Sequence, residues 1–169
     1  MIEDIVKDLG YLALGTRLKR LGERLQSQTQ VLLEGAAISL PASHFPFLAA
    51  LDRLGPLSVG ELTEAIGVSQ PAVTRALEKL AGEGLVRSRQ HTDDRRVRTV
   101  VLSKSGRQLI SRARRAAWPV IAAAVADACE GSARSLLGQL TALEEALAAV
   151  PLNVRARRLR AQGRGNALP

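Results

Sequence analysis

Polar side chains suited to nucleic-acid contact share one face of a helix predicted over residues 69–82. Val73, Leu77 and Leu80 recur at i, i+4 and i+7, which leaves the intervening polar residues facing solvent. Short side chains allow close approach to a DNA groove, and amide, hydroxyl and guanidinium groups form hydrogen bonds with base edges. The polar face is therefore expected to lie in a major groove. Its members are Gln70, Ala72, Thr74, Arg75, Glu78 and Lys79.

Two adjacent arginines lie at the predicted tip of a β-hairpin. Residues 85–89 and 97–102 are rich in β-branched side chains and are predicted to be its strands, joined by a polar connection. A cationic tip suits a DNA minor groove, where negative potential is concentrated. Either of the two arginines could be the one that enters the groove. The candidate wing residues are Asp94, Arg95, Arg96 and Arg98.

Local capping signals predict the elements that position these side chains. Ser58 and Glu61 have the spacing of a capping box, in which each residue satisfies a free backbone N–H of the other. Gly67 is expected to end that helix in a left-handed conformation. Ser69 then begins the next helix, with Pro71 in its first turn, where a missing N–H is not needed. The predicted order is helix, turn, helix and hairpin.

Positive charge is concentrated in the same part of the chain. Residues 69–115 contain twelve of the 24 Lys and Arg against four acids, a net charge of +8, whereas residues 1–68 carry −2 and residues 116–169 carry +2. Taken alone, an arginine-rich run is more often an ordinary solvated surface. Together with the helix and hairpin order, it indicates the basic surface of a nucleic-acid-binding protein.

Residues 58–106 resemble the winged helix-turn-helix of the MarR family of bacterial transcription regulators. Residues 94–96 match the family's Asp followed by basic residues, and residues 102–106 match its Leu-Thr/Ser-x-x-Gly motif. The resemblance implies a mainly α fold with a small β-hairpin wing, which Asp94 braces. It also implies that the second helix is the DNA recognition helix. The implied DNA-contacting residues of that helix are Ser69, Gln70, Pro71, Ala72, Thr74, Arg75 and Lys79.

The predicted organisation is one domain over residues 1–150, with a winged-helix head at 44–103 between two sets of dimerisation helices. Apolar residues at three- and four-residue steps predict a first helix over about 3–33, despite three glycines within it. Residues 104–150 are expected to form the second set, with a helix from Ser103 that kinks at Pro119.

Apolar helices at both ends of the chain favour association with a second subunit over a purely intramolecular bundle. The MarR resemblance likewise implies a homodimer with interleaved terminal helices. Two heads related by a two-fold axis would address a pseudo-palindromic operator with half-sites roughly 34 Å apart.

The resemblance also implies a small-molecule effector in a crevice between the dimerisation helices and the head. The candidate lining residues are Tyr11, His44, Phe47 and Trp118. A single aromatic residue on an apolar helix is more often part of the core, and His44 could equally cap or pack at the start of its helix. The identity of the effector is left open.

Motif content argues against enzymes, metal sites and redox sensors. Asp127 and Glu130 flank Cys129, the one cysteine, and disfavour its thiolate. Two isolated histidines and no C-x-x-C motif provide no metal-ligand set. No nucleophile–base pair or pair of catalytic carboxylates is recognisable. We therefore expect no catalytic activity, no metal and no cofactor.

Composition predicts a soluble, cytoplasmic protein without membrane association. The chain of 169 residues is 46% hydrophobic but only 2% aromatic, which favours helix over sheet. No apolar run approaches the ~18 residues needed to span a membrane. The N-terminal residues are acidic and amphipathic, unlike a signal peptide.

Residues 151–169 contain five arginines and no acid, and are predicted to be a flexible basic tail that adds non-specific phosphate contacts. Residues 160–165 also fit the R-x-x-G-x-G/A loop with which GNAT acetyltransferases hold the pyrophosphate of acetyl-CoA. That loop needs a preceding strand and a following helix, and the sequence given stops four residues after Gly165. The match is interpreted as a coincidence, or as a relationship to the DNA-binding head of MarR–GNAT fusion proteins.

The favoured function is a dimeric, sequence-specific DNA-binding transcription regulator modulated by a small molecule. One alternative is a sequence-tolerant, architectural DNA-binding protein, which the basic tail supports and the polar recognition face opposes. The other is the DNA-binding portion of a regulator–acetyltransferase fusion.

Overall fold

The computed structural model describes residues 3–90, 98–129 and 133–162. It is mainly α-helical with one antiparallel hairpin, and it divides into two compact units, Met1–Ile121 and Ala122–Pro169. The helices are α1 (Ile5–Asp8), α2 (Leu14–Gly35), α3 (Phe45–Leu54), α4 (Val59–Ile66), α5 (Gln70–Gly82), α6 (Lys104–Ala116), α7 (Trp118–Ala128), α8 (Ala133–Ala149) and α9 (Leu152–Ala161). The strands are β1 (Val86–Gln90) and β2 (Arg98–Leu102). Among the described residues, no helix is both long and apolar enough to cross a membrane.

The predicted helix-turn-helix is confirmed as α4 and α5. The Ser58 hydroxyl accepts a hydrogen bond from the Glu61 N–H at 3.3 Å, and the Glu61 carboxylate accepts one from the Ser58 N–H at 2.7 Å. The hydrogen bond from the Ser58 N–H stabilises the carboxylate and lowers the pKa of Glu61. Gly67 ends α4 with φ +73, and Ser69 is the N-cap of α5 with Pro71 in its first turn.

The predicted hairpin is confirmed as β1 and β2. Their register pairs Val86 with Leu102 and Gln90 with Arg98. Leu57 adds a short third segment, because it exchanges two backbone hydrogen bonds with Val100, at 3.1 and 2.7 Å. The hairpin is therefore anchored to the segment between α3 and α4.

One apolar core joins the head to the end of α2 and the start of α7. Its fully buried side chains come from α2 to α6 and from the segment after α2, and Trp118 and Ile121 at the start of α7 pack against them partly buried, so the helix-turn-helix and the hairpin share one core. They include Leu33, Ile38, Leu48, Leu62, Val73, Leu80 and Ile110.

The start of α6 explains the Leu-Ser-x-x-Gly motif of residues 102–106. The Ser103 hydroxyl accepts a hydrogen bond from the Gly106 N–H at 3.0 Å and donates one to the Gly84 carbonyl at 2.6 Å. The Ser103 N–H donates to the Leu85 carbonyl at 2.9 Å. A Cβ at position 106 would lie 2.1 Å from that same Leu85 oxygen, so only glycine permits this close approach.

The prediction of a single first helix over residues 3–33 is wrong. Helix α1 ends at Asp8, a 3-10 turn spans Gly10–Ala13, and α2 begins at Leu14. Gly10 has φ +52, a left-handed conformation that cannot occur inside a right-handed helix. The kink predicted at Pro119 is found as a break between α6 and α7 at Ala117. The proline ring would clash with the carbonyl four residues earlier if the helix continued.

The prediction that residues 151–169 lack regular structure is wrong for residues 152–161, which form α9. Pro151 is its N-cap, and the Arg155 side chain donates to the backbone carbonyls of Ala146 and Val150 at the end of α8. Ala and Arg favour helix even without an apolar period. A helix before Gly163 is also inconsistent with the acetyl-CoA loop, which follows a strand.

We expect Gly106→Ala to destabilise the protein by about 1–3 kcal/mol, because the added methyl group overlaps the Leu85 carbonyl. The free energy of unfolding in urea measures the effect. Gly60→Ala in α4 is the matched control, since its Cβ would meet only the Ser58 hydroxyl at 3.9 Å and helical alanine is favoured. Equal stability changes in the two variants would contradict this explanation of the motif.

Candidate nucleic-acid interface

Helix α5 has a buried apolar side and an exposed polar side, as its sequence predicted. Val73 and Leu80 are fully buried and Leu77 nearly so. This burial fixes the rotation of the helix about its own axis. The residues predicted to contact DNA consequently share the outer side, where Ser69, Gln70, Pro71, Thr74, Arg75 and Lys79 are exposed and Ala72 is half-buried.

The two cations of this face differ in their surroundings. The Lys79 ammonium forms an ion pair with Glu83 at 3.0 Å, within the last turn of α5. Within the described part of the chain, no acid lies at ion-pair distance from Arg75. Arg75 is therefore the cation of α5 that is available to an incoming acceptor.

The wing is described only in part. Arg98 is the first residue of β2 and pairs with Gln90 of β1. Asp94, Arg95 and Arg96 lie outside the described residues. Their contact with a minor groove therefore remains a prediction from sequence.

A cavity of about 400 Å³ adjoins α5. His44 and Phe47 from the start of α3 line it together with Ala72 and Arg75 of α5. Burial lowers the pKa of His44, and nearby Lys79 acts in the same direction, while Glu83 opposes it. The cavity therefore has an apolar wall, an imidazole that favours its neutral form and one guanidinium.

The structure does not bring all four predicted effector contacts together. Trp118 packs edge-on against Phe45, with ring centroids 6.4 Å apart, and lines a different cavity of about 270 Å³. Tyr11 is 93% exposed in the 3-10 turn that follows Gly10. Within one chain, His44 and Phe47 share a cavity, whereas Tyr11 and Trp118 lie apart from it.

Some residues of the His44 cavity were not predicted. The small side chains of Ala72 and Ala76 are one turn apart on α5 and leave space beside Phe47. Their i, i+4 spacing was visible in the sequence, but Gln26 of α2 could be placed there only by the fold. Among the described residues, no group of three or more His, Cys, Asp or Glu could hold a metal ion.

Comparison with known proteins agrees with this geometry. The family model described as MarR family matches residues 40–97, from the segment before α3 to the connection after β1. Residues 40–97 therefore resemble the MarR family.

Solved structures support the same fold beyond the matched segment. A mutant MarR from E. coli complexed with operator DNA is 18% identical with a TM-score of 0.69, covering 86% of this chain and 99% of that one. BldR from Sulfolobus solfataricus is 24% identical with a TM-score of 0.62, covering 85% and 99%. Bordetella bronchiseptica BpsR is 23% identical with a TM-score of 0.61, covering 78% and 91%. At these identities, the similarity establishes a shared winged-helix fold.

We expect His44 to make the protein less stable in mild acid. Because its folded pKa lies below the ordinary value of about 6.5, the unfolded state binds more protons between those two values. Stability should therefore fall as pH falls through that window. Free energies of unfolding at about pH 7.5 and 5.5 should differ less in His44→Gln than in the wild type. An unchanged pH dependence in the variant would contradict the assignment.

Proposed function

We propose that the protein is a dimeric, sequence-specific DNA-binding transcription regulator. The observation that carries the proposal is the exposed polar face of α5, which contains Gln70, Thr74 and Arg75 and is held by a buried apolar side within the segment that resembles the MarR family. Side chains of this kind on a rigid helix can form hydrogen bonds with base edges in a major groove. The E. coli MarR structure, whose fold is similar, is complexed with operator DNA.

Within this proposal, phosphate contacts and base contacts have different sources. Arg75 is the candidate for a bidentate contact with guanine, because it is exposed and no described acid pairs with it. The basic residues of the wing provide electrostatic attraction to the backbone and minor groove. Basic residues predominate over residues 69–115, so this side of the chain supplies the sequence-independent part of the affinity.

A second copy of the chain is the proposed partner of the exposed apolar surface on α2. Leu18, Leu21 and Leu25 recur at helical spacing and are 38, 46 and 45% exposed in the single chain. In α1 and the following turn, Ile5 and Leu12 are 64 and 72% exposed. A contiguous apolar surface of this kind marks an interaction site. Two identical chains would pair it with itself about a two-fold axis and present two heads to a pseudo-palindromic operator.

A small-molecule effector is the proposed occupant of the His44 cavity. The BpsR structure concerns regulation of DNA binding by 6-hydroxynicotinic acid in that protein. Here Arg75 lines the cavity and also lies on the exposed face of α5. A ligand that binds its guanidinium would withdraw that group from DNA, which would couple occupancy to DNA affinity.

A sequence-tolerant, architectural function is the second candidate. Helix α9 supports it, since Arg157, Arg158 and Arg160 are exposed on a helix without acids. These side chains can bind phosphates of any sequence. The two candidates differ in base preference, because a specific regulator prefers its site to random duplex by ~10³-fold or more.

Arg75→Ala should weaken binding to a selected site by about 1–3 kcal/mol and relax base preference at one position of each half-site. Fluorescence anisotropy with single-base variants of the site measures both effects. Arg53→Ala removes an exposed arginine of α3 and serves as the control, with base preference unchanged. Intact affinity and preference in the Arg75 variant would show that α5 is not the recognition helix.

Introducing carboxylates into the α2 surface should abolish dimer formation. In Leu21→Glu/Leu25→Glu the desolvation of two charges opposes association, and sedimentation equilibrium should show a monomer. Thr16→Glu/Ser27→Glu places the same two charges at exposed polar positions of α2 and should remain dimeric. A dimer for the leucine variant, or a wild-type monomer at micromolar concentration, would contradict the proposed interface.

A further inference from the structure

A cavity of about 280 Å³ beside the hairpin is lined by three arginines that have no role in the base contacts proposed above. Arg87 and Arg89 are two residues apart on β1, so their side chains share one face of the strand. Arg107 reaches the same cavity from the first turn of α6, and Asp52 from α3 completes its charged lining.

The charges of this cavity are not balanced within it. Among the described residues that line it, Asp52 is the only acid, and its carboxylate is bound by Arg114, which is not part of the lining. Three arginines therefore line one small space in which the described carboxylate already has a cationic partner. Like charges on one cavity repel one another, so an anion bound among the three arginines would interact favourably with each of them.

Two parts of the cavity wall are held by hydrogen bonds before any ligand binds. The Arg107 guanidinium donates a hydrogen bond to the Leu102 carbonyl at 2.9 Å, and this bond orients the guanidinium plane. The loop of Gly55 and Pro56 is held by the backbone pair between Leu57 and Val100. Preformed walls reduce the ordering cost of binding.

We propose that this cavity binds a phosphate-type oxyanion, carried either by a small metabolite or by the backbone of bound DNA. Planar guanidinium groups match phosphate oxygens in bidentate geometry, and arginine is the residue most suited to this recognition. The volume is just below the usual range for ligand pockets, which limits the occupant to a small phosphorylated molecule or one backbone phosphate. The proposal does not depend on the regulatory function proposed above.

Calorimetric titration with pyrophosphate, in phosphate-free buffer at low ionic strength, tests the site. Saturable binding is expected for the wild type, with affinity reduced about tenfold or more in Arg89→Gln/Arg107→Gln. Arg17→Gln/Arg53→Gln removes the same charge at exposed positions of α2 and α3 outside the cavity lining, and this control variant should bind pyrophosphate as the wild type does. Because Arg107 also holds the Leu102 carbonyl, Arg89→Gln alone provides a variant with intact walls, checked by circular dichroism.

Titration of random-sequence duplex into the same proteins identifies the source of the phosphate. If the cavity variant loses more duplex affinity than the Arg17→Gln/Arg53→Gln control and duplex competes with pyrophosphate, the ligand is a DNA backbone phosphate. If pyrophosphate binding is lost while duplex binding is unchanged, the ligand is a free phosphorylated molecule. The proposal is overturned if the cavity variant and the Arg17→Gln/Arg53→Gln control lose equal affinity, or if the wild type and the cavity variant bind both pyrophosphate and duplex equally well.

Discussion

Burial of one side of α5 determines which side chains the domain presents to a partner. Val73 and Leu80 are completely inaccessible, and each such side chain stabilises the packed arrangement by roughly 1.5–3 kcal/mol. Rotation of α5 by one residue would expose them and bury polar side chains in their place. The orientation of Gln70, Thr74 and Arg75 is therefore a consequence of core packing. Base contacts by this helix would therefore depend on the burial of its apolar side.

The hairpin is positioned by a second constraint, the close approach of α6 to the end of α5. Ser103 bonds to the backbone of Gly84, Leu85 and Gly106, and the missing side chain at position 106 makes this contact possible. The same junction places Arg107 beside Leu102. Hairpin orientation and the arginine-lined cavity thus depend on one glycine.

Local signals in the sequence were sufficient to predict the head. Three of these signals depend only on residues close together in the sequence, so they can be recognised without knowing the fold. They are the capping box of Ser58 and Glu61, the turn at Gly67 and the apolar spacing along α5. The helix break at Gly10 could not be predicted from glycine alone, because Gly15 and Gly22 have the same low helix propensity and lie inside α2. Helix α9 was missed because its sequence has no apolar period, although Pro151 and the alanines permit a helix.

Only some of the residues that line each cavity could be predicted from the sequence. The sequence alone places Arg87 and Arg89 on the same face of a strand, because they are two residues apart. Asp52 and Arg107 reach the same cavity only because segments distant in the sequence pack together. Similarly, His44 and Phe47 were recognised as candidates for one cavity, while Gln26 and Ala76 were not. Tyr11 and Trp118 were grouped with them by residue type, which carries no information about distance.

The central claim is specific recognition of DNA by a pair of these domains. Selection of bound duplexes from a random pool tests it most directly, with the oligomeric state measured by sedimentation at the same protein concentration. The account predicts an enriched pseudo-palindrome with half-sites about one helical turn apart, bound by a dimer. Tight, salt-sensitive binding without enrichment, or an enriched single half-site bound by a monomer, would contradict it.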